Sequence, residues 1–218
     1  MLFRVPRVRP GADPPLTVRP SSLRIPPAGR GQSVGLFGGS FDPPHEGHLL
    51  VAETALTRLG LDRLWWMVTP GNPLKDTSAL APLAERLAAC KELARHPRIT
   101  VAAPEARLSS RFTADTLATL AERRPGVRFV WVMGADNLAT FHRWERWRAI
   151  AALMPIAVVD RPGATLAFSN APAAQALARY RVDEADARIL PHLDPPAWTF
   201  LHGPRSAQSS TALRAMRR

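Results

Sequence analysis

Short apolar runs alternate with longer helical stretches over most of the chain after Ser33. Five runs have the length and composition of strands, at residues 34–37, 64–68, 99–102, 129–133 and 156–159. The fourth run is wholly apolar, which is typical of a strand buried on both faces. Helical stretches lie between them at residues 48–59, 84–94 and 113–122. This alternation predicts an α/β domain with a parallel sheet, helices on both faces and a ligand site at the carboxyl ends of the strands.

The first 32 residues differ in composition from the rest of the chain. They hold seven of the 22 prolines and six arginines, against the single acidic residue Asp13. The segment has neither helical nor strand periodicity, so we predict a disordered or loosely packed extension at 1–32 and one catalytic domain at 33–218. A basic arm that docks on another molecule is the alternative.

Composition narrows the class of protein. The chain of 218 residues has one cysteine, Cys90, which excludes an internal disulfide and a cysteine-based zinc cluster. Cys90 lies in an apolar helical stretch, which favours a buried structural thiol. No apolar run reaches the ~20 residues of a membrane span, and the N-terminus lacks a secretory apolar region, so we expect a cytoplasmic protein without membrane contact. The net charge of +11 suits anionic ligands, nucleotides or nucleic acid alike.

The segment 35–48 carries the strongest chemical signal. It reads G-L-F-G-G-S-F-D-P-P-H-E-G-H, passing from a predicted strand through Gly38 and Gly39 into a predicted helix. Glycines let the backbone approach a phosphate, and a helix N-terminus attracts anions. His45 and His48 stand three apart and can face one side of the first turn. A turn with two incidental histidines is the plain alternative; a metal site lacks a third ligand nearby, and the G-x-G-x-x-G spacing of a dinucleotide loop is absent.

A second polar motif, S-S-T-A-L-R, lies at 209–214 near the C-terminus. Consecutive hydroxyls before an apolar stretch predict an N-cap followed by a short helix. Hydroxyls, free N–H groups and Arg214 one turn later would also suit a polyphosphate. Simple capping explains the same pattern.

Together the two motifs resemble those of the nucleotidyltransferase superfamily whose signature is His-x-Gly-His. The form of segment 35–48 is similar to its nicotinate-nucleotide adenylyltransferase branch, and the resemblance runs from about Gly35 to Arg214. It implies a Rossmann-like doubly wound parallel sheet, the nucleotidyltransferase fold, in a single domain. Gln208 and Leu213 replace the isoleucines usual in the second motif, so its apolar positions depart from the family pattern while its polar positions do not.

The resemblance assigns roles residue by residue. His45, His48 and Arg214 would be catalytic, stabilising charge on the ATP phosphates. Backbone and side-chain contacts to ATP would come from Gly38, Gly39, Ser40, Phe41, Gly134, Asp136, Ser209, Ser210 and Thr211. The mononucleotide would contact Asn72, Lys75, Thr113, Trp144 and Arg161.

Two of these assignments, Asp136 and Trp144, also have a plain chemical rationale, and a third, Thr113, rests on the resemblance alone. Asp136 can accept two ribose hydroxyl hydrogen bonds. Trp144 offers a flat face to a pyridine ring, whereas Trp147, three residues further on the same predicted helix, is expected in the core. Thr113 would meet the nicotinate carboxylate, although a helix N-cap would occupy the same position.

The resemblance implies transfer of the adenylyl group of ATP to nicotinic acid mononucleotide, giving nicotinic acid adenine dinucleotide and pyrophosphate in NAD biosynthesis. The attacking 5′-phosphate is already an anion, so no general base is needed, and Mg²⁺ is expected on the ATP phosphates with no ligand from the protein. Nicotinamide-mononucleotide and phosphopantetheine adenylyltransferases are the nearest alternatives, and a non-catalytic nucleic-acid-binding module is a remote one. We expect no nucleic-acid partner; whether the chain forms a homo-oligomer is left open.

Overall fold

A computed structural model describes residues 17–71, 80–108, 110, 112–162, 170–204, 206 and 208–215. These residues form one sheet of six strands, in the spatial order β3-β2-β1-β4-β5-β6. Every neighbouring pair is parallel. The strands are β1 Ser33–Gly39, β2 Arg63–Val68, β3 Ile99–Ala102, β4 Arg128–Gly134, β5 Ile156–Val159 and β6 Trp198–Leu201. The predicted doubly wound parallel sheet is therefore confirmed.

Helices cover both faces of this sheet. The α-helices are α1 Glu46–Arg58, α2 Leu83–Leu93, α3 Glu105–Leu108, α4 Thr113–Arg123, α5 Ala135–Phe141, α6 Trp147–Leu153, α7 Pro172–Ala176 and α8 Ser210–Ala215. Three 3₁₀ helices occupy Pro20–Leu23, Ala178–Tyr180 and Glu184–His192. Within the described ranges, no helix combines the length and hydropathy needed to cross a membrane.

Two apolar clusters lie on opposite faces of the sheet, as β2 illustrates. Successive strand residues point to opposite faces, so Trp66 joins the cluster beneath α1 and α2, and Trp65 joins the one beneath α4 to α6. Both indoles are 0% exposed. Cys90 is buried in the first cluster, where burial raises the pKa of its thiol to about 12, so the predicted structural thiol is confirmed.

The strand order places a topological switch point between β1 and β4. From β1 the chain proceeds through β2 to β3 on one side, and from β4 through β5 to β6 on the other. The loops after these two adjacent strands run in opposite directions and open a crevice at their carboxyl ends. Gly39 and Gly134 are the last residues of β1 and β4, so both glycines of the predicted motifs lie at this crevice.

The described part of the N-terminal extension packs on the domain, contrary to the prediction of a loosely packed segment. Val18 and Leu23 contact one apolar cluster and Ile25 contacts the other. Ser22 is 6% exposed, its carbonyl accepts from the Ala103 N–H at 2.7 Å, and its hydroxyl binds the Lys91 ammonium at 2.7 Å. These three apolar side chains together with Ala28 suffice for this docking, and they have no period for a sequence pattern to detect. Residues 1–16 lie outside the described residues.

Two further local predictions differ from the structure. β6 was not predicted, because its four residues closely follow Pro195-Pro196, a pair typical of a turn or loop. Trp144 lies in the turn between α5 and α6 instead of on a helix with Trp147. The chain leaves the helical conformation there, since Arg146 has a left-handed φ of 53°.

We predict that Leu23→Ala lowers the melting temperature by about 2–6 °C, because it removes part of a side chain that is partly buried against the core. Thermal unfolding measures the change, and the turnover number should stay unaltered. Arg24→Ala is the matched control, since Arg24 is exposed beside Leu23. Equal melting temperatures for the two variants would support the original expectation of a loosely packed extension.

Candidate active site

A cleft of about 480 Å³ opens at the carboxyl ends of the strands. It is lined by every described residue that the sequence analysis assigned to substrate or catalysis. These are Gly38, Gly39, Ser40, Phe41, His45, His48, Thr113, Gly134, Asp136, Trp144, Arg161, Ser209, Ser210, Thr211 and Arg214. Asn72 and Lys75 lie outside the described residues. The two motifs at either end of the domain thus meet in one cavity.

The loop after β1 approaches its neighbours too closely for larger side chains. A Cβ at Gly38 would lie 2.6 Å from the Trp131 ring of β4, so only glycine fits there without displacement. Phe41 has a left-handed φ of 48°, unusual for a residue other than glycine. Its ring is buried and packs edge-on against Phe37 at 5.3 Å between centroids, and close to Trp66 at 5.0 Å. Aromatic packing therefore holds the strained turn in place.

His45 and His48 lie side by side at the start of α1. His45 is the N-cap in an extended conformation, and the helix begins at Glu46, two residues earlier than predicted. The ring centroids are 3.8 Å apart, and His48 also packs edge-on against Phe41 at 4.9 Å. A Cβ at Gly47 would come within 3.1 Å of the His45 ring, so the small residue between the histidines lets them approach.

One hydrogen bond fixes the tautomer of His48. The His45 backbone N–H donates to Nδ1 of His48 at 3.2 Å, so in the neutral ring the proton resides on Nε2. The ring therefore has one N–H left to donate. In the neighbouring ring, the buried Nδ1 of His45 has no hydrogen-bond partner among the described residues.

Both imidazoles are held in the neutral form. Burial lowers the pKa of His45 to about 4, with a further contribution from the positive charge of Arg161. Burial likewise lowers the pKa of His48 to about 2, assisted by His45 and Arg161. Near neutral pH these side chains act as polar hydrogen-bonding groups and not as cations.

The C-terminal motif closes over the loop of the first motif. Arg214 donates to the carbonyl of Asp42, and the Ser210 hydroxyl donates to the carbonyl of Pro43 at 3.0 Å. Gln208 contributes as well, since its side chain accepts from the Glu46 N–H at 3.1 Å. The residue that departs from the family pattern at 208 thereby joins α8 to the start of α1.

The two serines of this motif both line the cleft, and one of them also caps α8. Ser209 is the capping residue, because its hydroxyl accepts from the Ala212 N–H at 3.2 Å. Ser210 and Thr211 begin α8 and face the cleft with Arg214, which also contacts the Thr211 hydroxyl at 3.3 Å. The predicted capping and the predicted cleft position therefore both occur.

Near the two histidines, Arg161 follows β5 and Asp136 is the second residue of α5. Their charged groups are 3.9 Å apart, with Arg161 mostly buried and Asp136 more than half exposed. This distance leaves the carboxylate oxygens accessible to hydroxyl donors. Arg161 also supplies positive charge beside the two neutral histidines.

Trp144 and Thr113 mark the far end of the cleft. Trp144 packs edge-on against Trp131 at 6.3 Å and Phe141 at 5.5 Å, and its side chain is only partly buried. Thr113 is the first residue of α4, whose N-cap is Phe112, so its hydroxyl is not used as the helix cap. An ion pair between Arg146 and Asp115 at 2.5 Å ties the Trp144 turn to α4.

Several charged residues at this site had no predicted role, and Glu105 and Arg86 are two of them. Glu105 lines the cleft beside Thr113, and burial raises the pKa of its carboxyl group to about 7 while a hydrogen bond from Thr116 opposes the rise. Arg86 of α2 is 3% exposed and bonded to the loops after β1 and β2. No local motif surrounds either residue; for Arg86 the available signal was an arginine among the buried apolar positions of α2.

The described residues contain no group of three or more histidine, cysteine, aspartate or glutamate side chains able to hold a metal ion. The acidic residues that line the cleft are Asp42, Glu105, Asp136 and Glu145.

Comparisons with known proteins agree with this geometry. The model of the cytidylyltransferase-like family matches residues 36–216. A structure of the Plasmodium falciparum nicotinic acid mononucleotide adenylyltransferase in complex with APC superposes with a TM-score of 0.61 at 16% identity, covering 84% of this chain and 83% of that one. At that identity the likeness establishes the fold.

Relatives at high identity specify the branch. The probable nicotinate-nucleotide adenylyltransferase of Mesorhizobium japonicum is 60% identical over 192 residues, which cover 88% of this chain and 98% of the relative. The corresponding protein of Rhizobium meliloti is 64% identical over 183 residues, covering 84% of this chain and 97% of the relative. The chain therefore belongs to the nicotinate-nucleotide adenylyltransferases, the enzymes of NAD biosynthesis that transfer the adenylyl group of ATP to nicotinic acid mononucleotide.

Proposed function

We propose that the cleft carries out this transfer with the residues that line it, and that nicotinic acid mononucleotide is preferred to its amide. The observation that carries the proposal is the meeting of the two phosphate motifs. His45 and His48 lie beneath the same cavity that Ser210, Thr211 and Arg214 close from the C-terminal side. A polyphosphate placed between them would meet hydrogen-bond donors from both directions.

The reaction is an in-line displacement at the α-phosphorus of ATP. An oxygen of the mononucleotide 5′-phosphate forms the new P–O bond, and the bond to pyrophosphate breaks with its electron pair going to the leaving oxygen. The nucleophile is already ionised, so the protein does not remove a proton. What remains is to orient two polyanions and to stabilise charge as it shifts towards pyrophosphate.

Different residues of the cleft would carry out these two tasks. The Nε2–H of His48, His45 and the N–H groups of Gly38 to Phe41 would donate to the α- and β-phosphates. Ser209, Ser210, Thr211 and Arg214 would hold the departing pyrophosphate, and Gly134 with Asp136 would contact the ribose. On the acceptor, Thr113 would bind the nicotinate carboxylate, Trp144 would stack on the ring and Arg161 would bind the mononucleotide phosphate. We keep Asn72 and Lys75 as predicted contacts from the loop after β2.

Magnesium enters this scheme as part of the nucleotide substrate. The ion would neutralise phosphate charge, and water would complete its coordination. The cytoplasmic location and the absence of nucleic-acid partners stay predictions, and the oligomeric state stays open. Pyrophosphate release with ATP and each mononucleotide tests the reaction directly.

The central role of His48 can be tested by mutation. We predict that His48→Ala lowers kcat ~10²-fold or more, as loss of a preorganised donor to a transition-state oxyanion does. Steady-state pyrophosphate release measures the effect, and thermal unfolding verifies that the variant is folded. His192→Ala is the control, because His192 is exposed and does not line the cleft. A variant that retains more than half of the wild-type kcat would remove the assignment.

The lowered pKa values predict a dependence of stability on pH. Both folded-state pKa values lie below the unfolded value of about 6.5, so the unfolded chain binds more protons between pH 6.5 and pH 4. The stabilisation is complete above pH 6.5 and is lost as the pH falls, towards pH 4 for His45 and towards pH 2 for His48. The free energy of unfolding should drop by about 2 kcal/mol for each histidine between pH 7.5 and pH 5.

Urea unfolding of the wild type and of the His45→Asn/His48→Asn double variant at both pH values measures this contribution. The double variant should lose markedly less stability on acidification than the wild type. The same loss in both proteins would show that the two histidines already bind protons in the folded state near pH 5.

The acid preference is the third test. The nicotinate carboxylate can accept charge-assisted hydrogen bonds near Thr113, whereas the amide would turn an NH₂ group towards some of those donors. An unpaired buried donor costs about 1–3 kcal/mol, so we predict that kcat/KM favours the acid by at least ~10²-fold. Equal or greater efficiency with nicotinamide mononucleotide would overturn the substrate preference and leave the adenylyl transfer intact.

Stacking by Trp144 gives a companion measurement. Trp144→Ala should raise KM for both mononucleotides by a similar factor, because a ring face does not distinguish acid from amide. Trp144→Phe keeps a flat face and should restore most of the affinity. A change confined to one of the two mononucleotides would contradict the stacking role.

A further inference from the structure

Arg86 is a buried cation that the reaction scheme leaves without a role. It lies on α2 and is 3% exposed. Its guanidinium donates four hydrogen bonds, all to backbone carbonyls. Nε binds Ala81 at 2.8 Å, one terminal nitrogen binds both Ser40 and Thr69 at 2.7 Å, and the other binds Pro70 at 3.0 Å.

The charge of Arg86 has no carboxylate within 4 Å among the described residues. Burial lowers its pKa, and the more distant charge of Asp42 acts in the opposite direction. A buried guanidinium is costly unless its donors are paired. Here the five-donor fork matches carbonyls that come from three separate segments, a geometry that lysine cannot reproduce.

Two of those segments line the cleft. Ser40 belongs to the loop after β1, and Thr69 follows β2. A carbonyl and the N–H of the same trans peptide point in opposite directions because the peptide is planar. When Arg86 holds the Ser40 carbonyl, it therefore also fixes the direction of the Phe41 N–H.

The Phe41 N–H is available for a ligand. It has no hydrogen-bond acceptor among the described residues, although the Phe41 ring is buried. The left-handed conformation of Phe41 follows directly after the fixed peptide, and the residue lines the cleft. Successive N–H groups at such a turn form a concave anion site.

We infer that Arg86 is a positioning residue, which sets the orientation of the Ser40–Phe41 peptide so that the loop after β1 presents its N–H groups to the transferring phosphate. This inference rests on the proposed adenylyl transfer. Arg86 contacts no substrate and acts from behind the loop. The contacts to the Thr69 and Pro70 carbonyls hold the first two residues after β2 by the same means.

The inference predicts an effect on kcat that exceeds any effect on folding. A displacement of about 1 Å in a catalytic group can cost ~10²-fold in rate. We expect Arg86→Ala to lower kcat ~10²-fold while KM for ATP changes less than about fivefold. Arg86→Lys keeps the charge but not the fork, so its kcat should lie between those of Arg86→Ala and the wild type.

Rescue separates positioning from simple loss of stability. Free guanidinium at millimolar concentration should enter the space left in Arg86→Ala and raise kcat at least tenfold, with no such gain for His48→Ala. Arg124→Ala is the matched control, because Arg124 also donates to backbone carbonyls, those of Ile25 and Pro26, but does not line the cleft. Its kcat should equal that of the wild type even where its melting temperature falls.

The readouts distinguish failure of this inference from failure of the proposed function. Wild-type pyrophosphate release with nicotinic acid mononucleotide tests the function alone, and calorimetric binding of ATP tests the loop whatever the acceptor is. Two results would overturn the positioning role. One is a wild-type kcat for the folded fraction of Arg86→Ala, and the other is the absence of any rise in its kcat on addition of guanidinium. Tenfold or greater rescue of kcat would establish the positioning role.

Discussion

The carbonyl groups of the loop after β1 need hydrogen-bond donors, and the arrangement of the cleft depends on which side chains provide them. At the switch point β1 and β4 continue in opposite directions, so the backbone beyond Gly39 has no regular ladder to complete. Arg86 bonds the carbonyl of Ser40, Arg214 that of Asp42 and Ser210 that of Pro43. Because donors from outside take these carbonyls, the loop can turn N–H groups and imidazoles towards the cleft. The N–H groups of the loop can thus face a phosphate because the loop carbonyls are hydrogen-bonded by side chains from other parts of the domain.

The electrostatics of the cleft follow from the same arrangement. Burial keeps His45 and His48 neutral, so the positive charge that the described residues bring to the cleft comes from arginines, Arg143, Arg161 and Arg214. Neutral imidazoles can donate hydrogen bonds without the desolvation penalty of buried cations. For a nucleophile that is already ionised, such fixed donors are more useful than a titrating base, because the chemistry consists mainly of positioning and charge stabilisation.

The sequence predicted those parts of the fold and site that have local signals. Strands at 99–102 and 156–159 were predicted with their observed bounds, because short apolar runs between polar turns leave few alternatives. The residues assigned from the two motifs were predicted from local patterns, and they line one cavity. Long-range contacts were not predictable. The packing of Leu23, the turn at Trp144 and the bonds from Arg86 to the loops after β1 and β2 depend on residues far away in the chain.

The C-terminal motif shows why the site is completed by tertiary contacts. α8 has six residues, too few for a helix to be stable in isolation. Its position depends on bonds to the first motif, from Arg214 to Asp42 and from the Glu46 N–H to Gln208. Those bonds join segments about 160 residues apart, so the donors of α8 reach the cleft only when the sheet between them is formed. The proposed binding site for the polyphosphate is therefore a property of the folded domain, and each motif alone supplies only half of it.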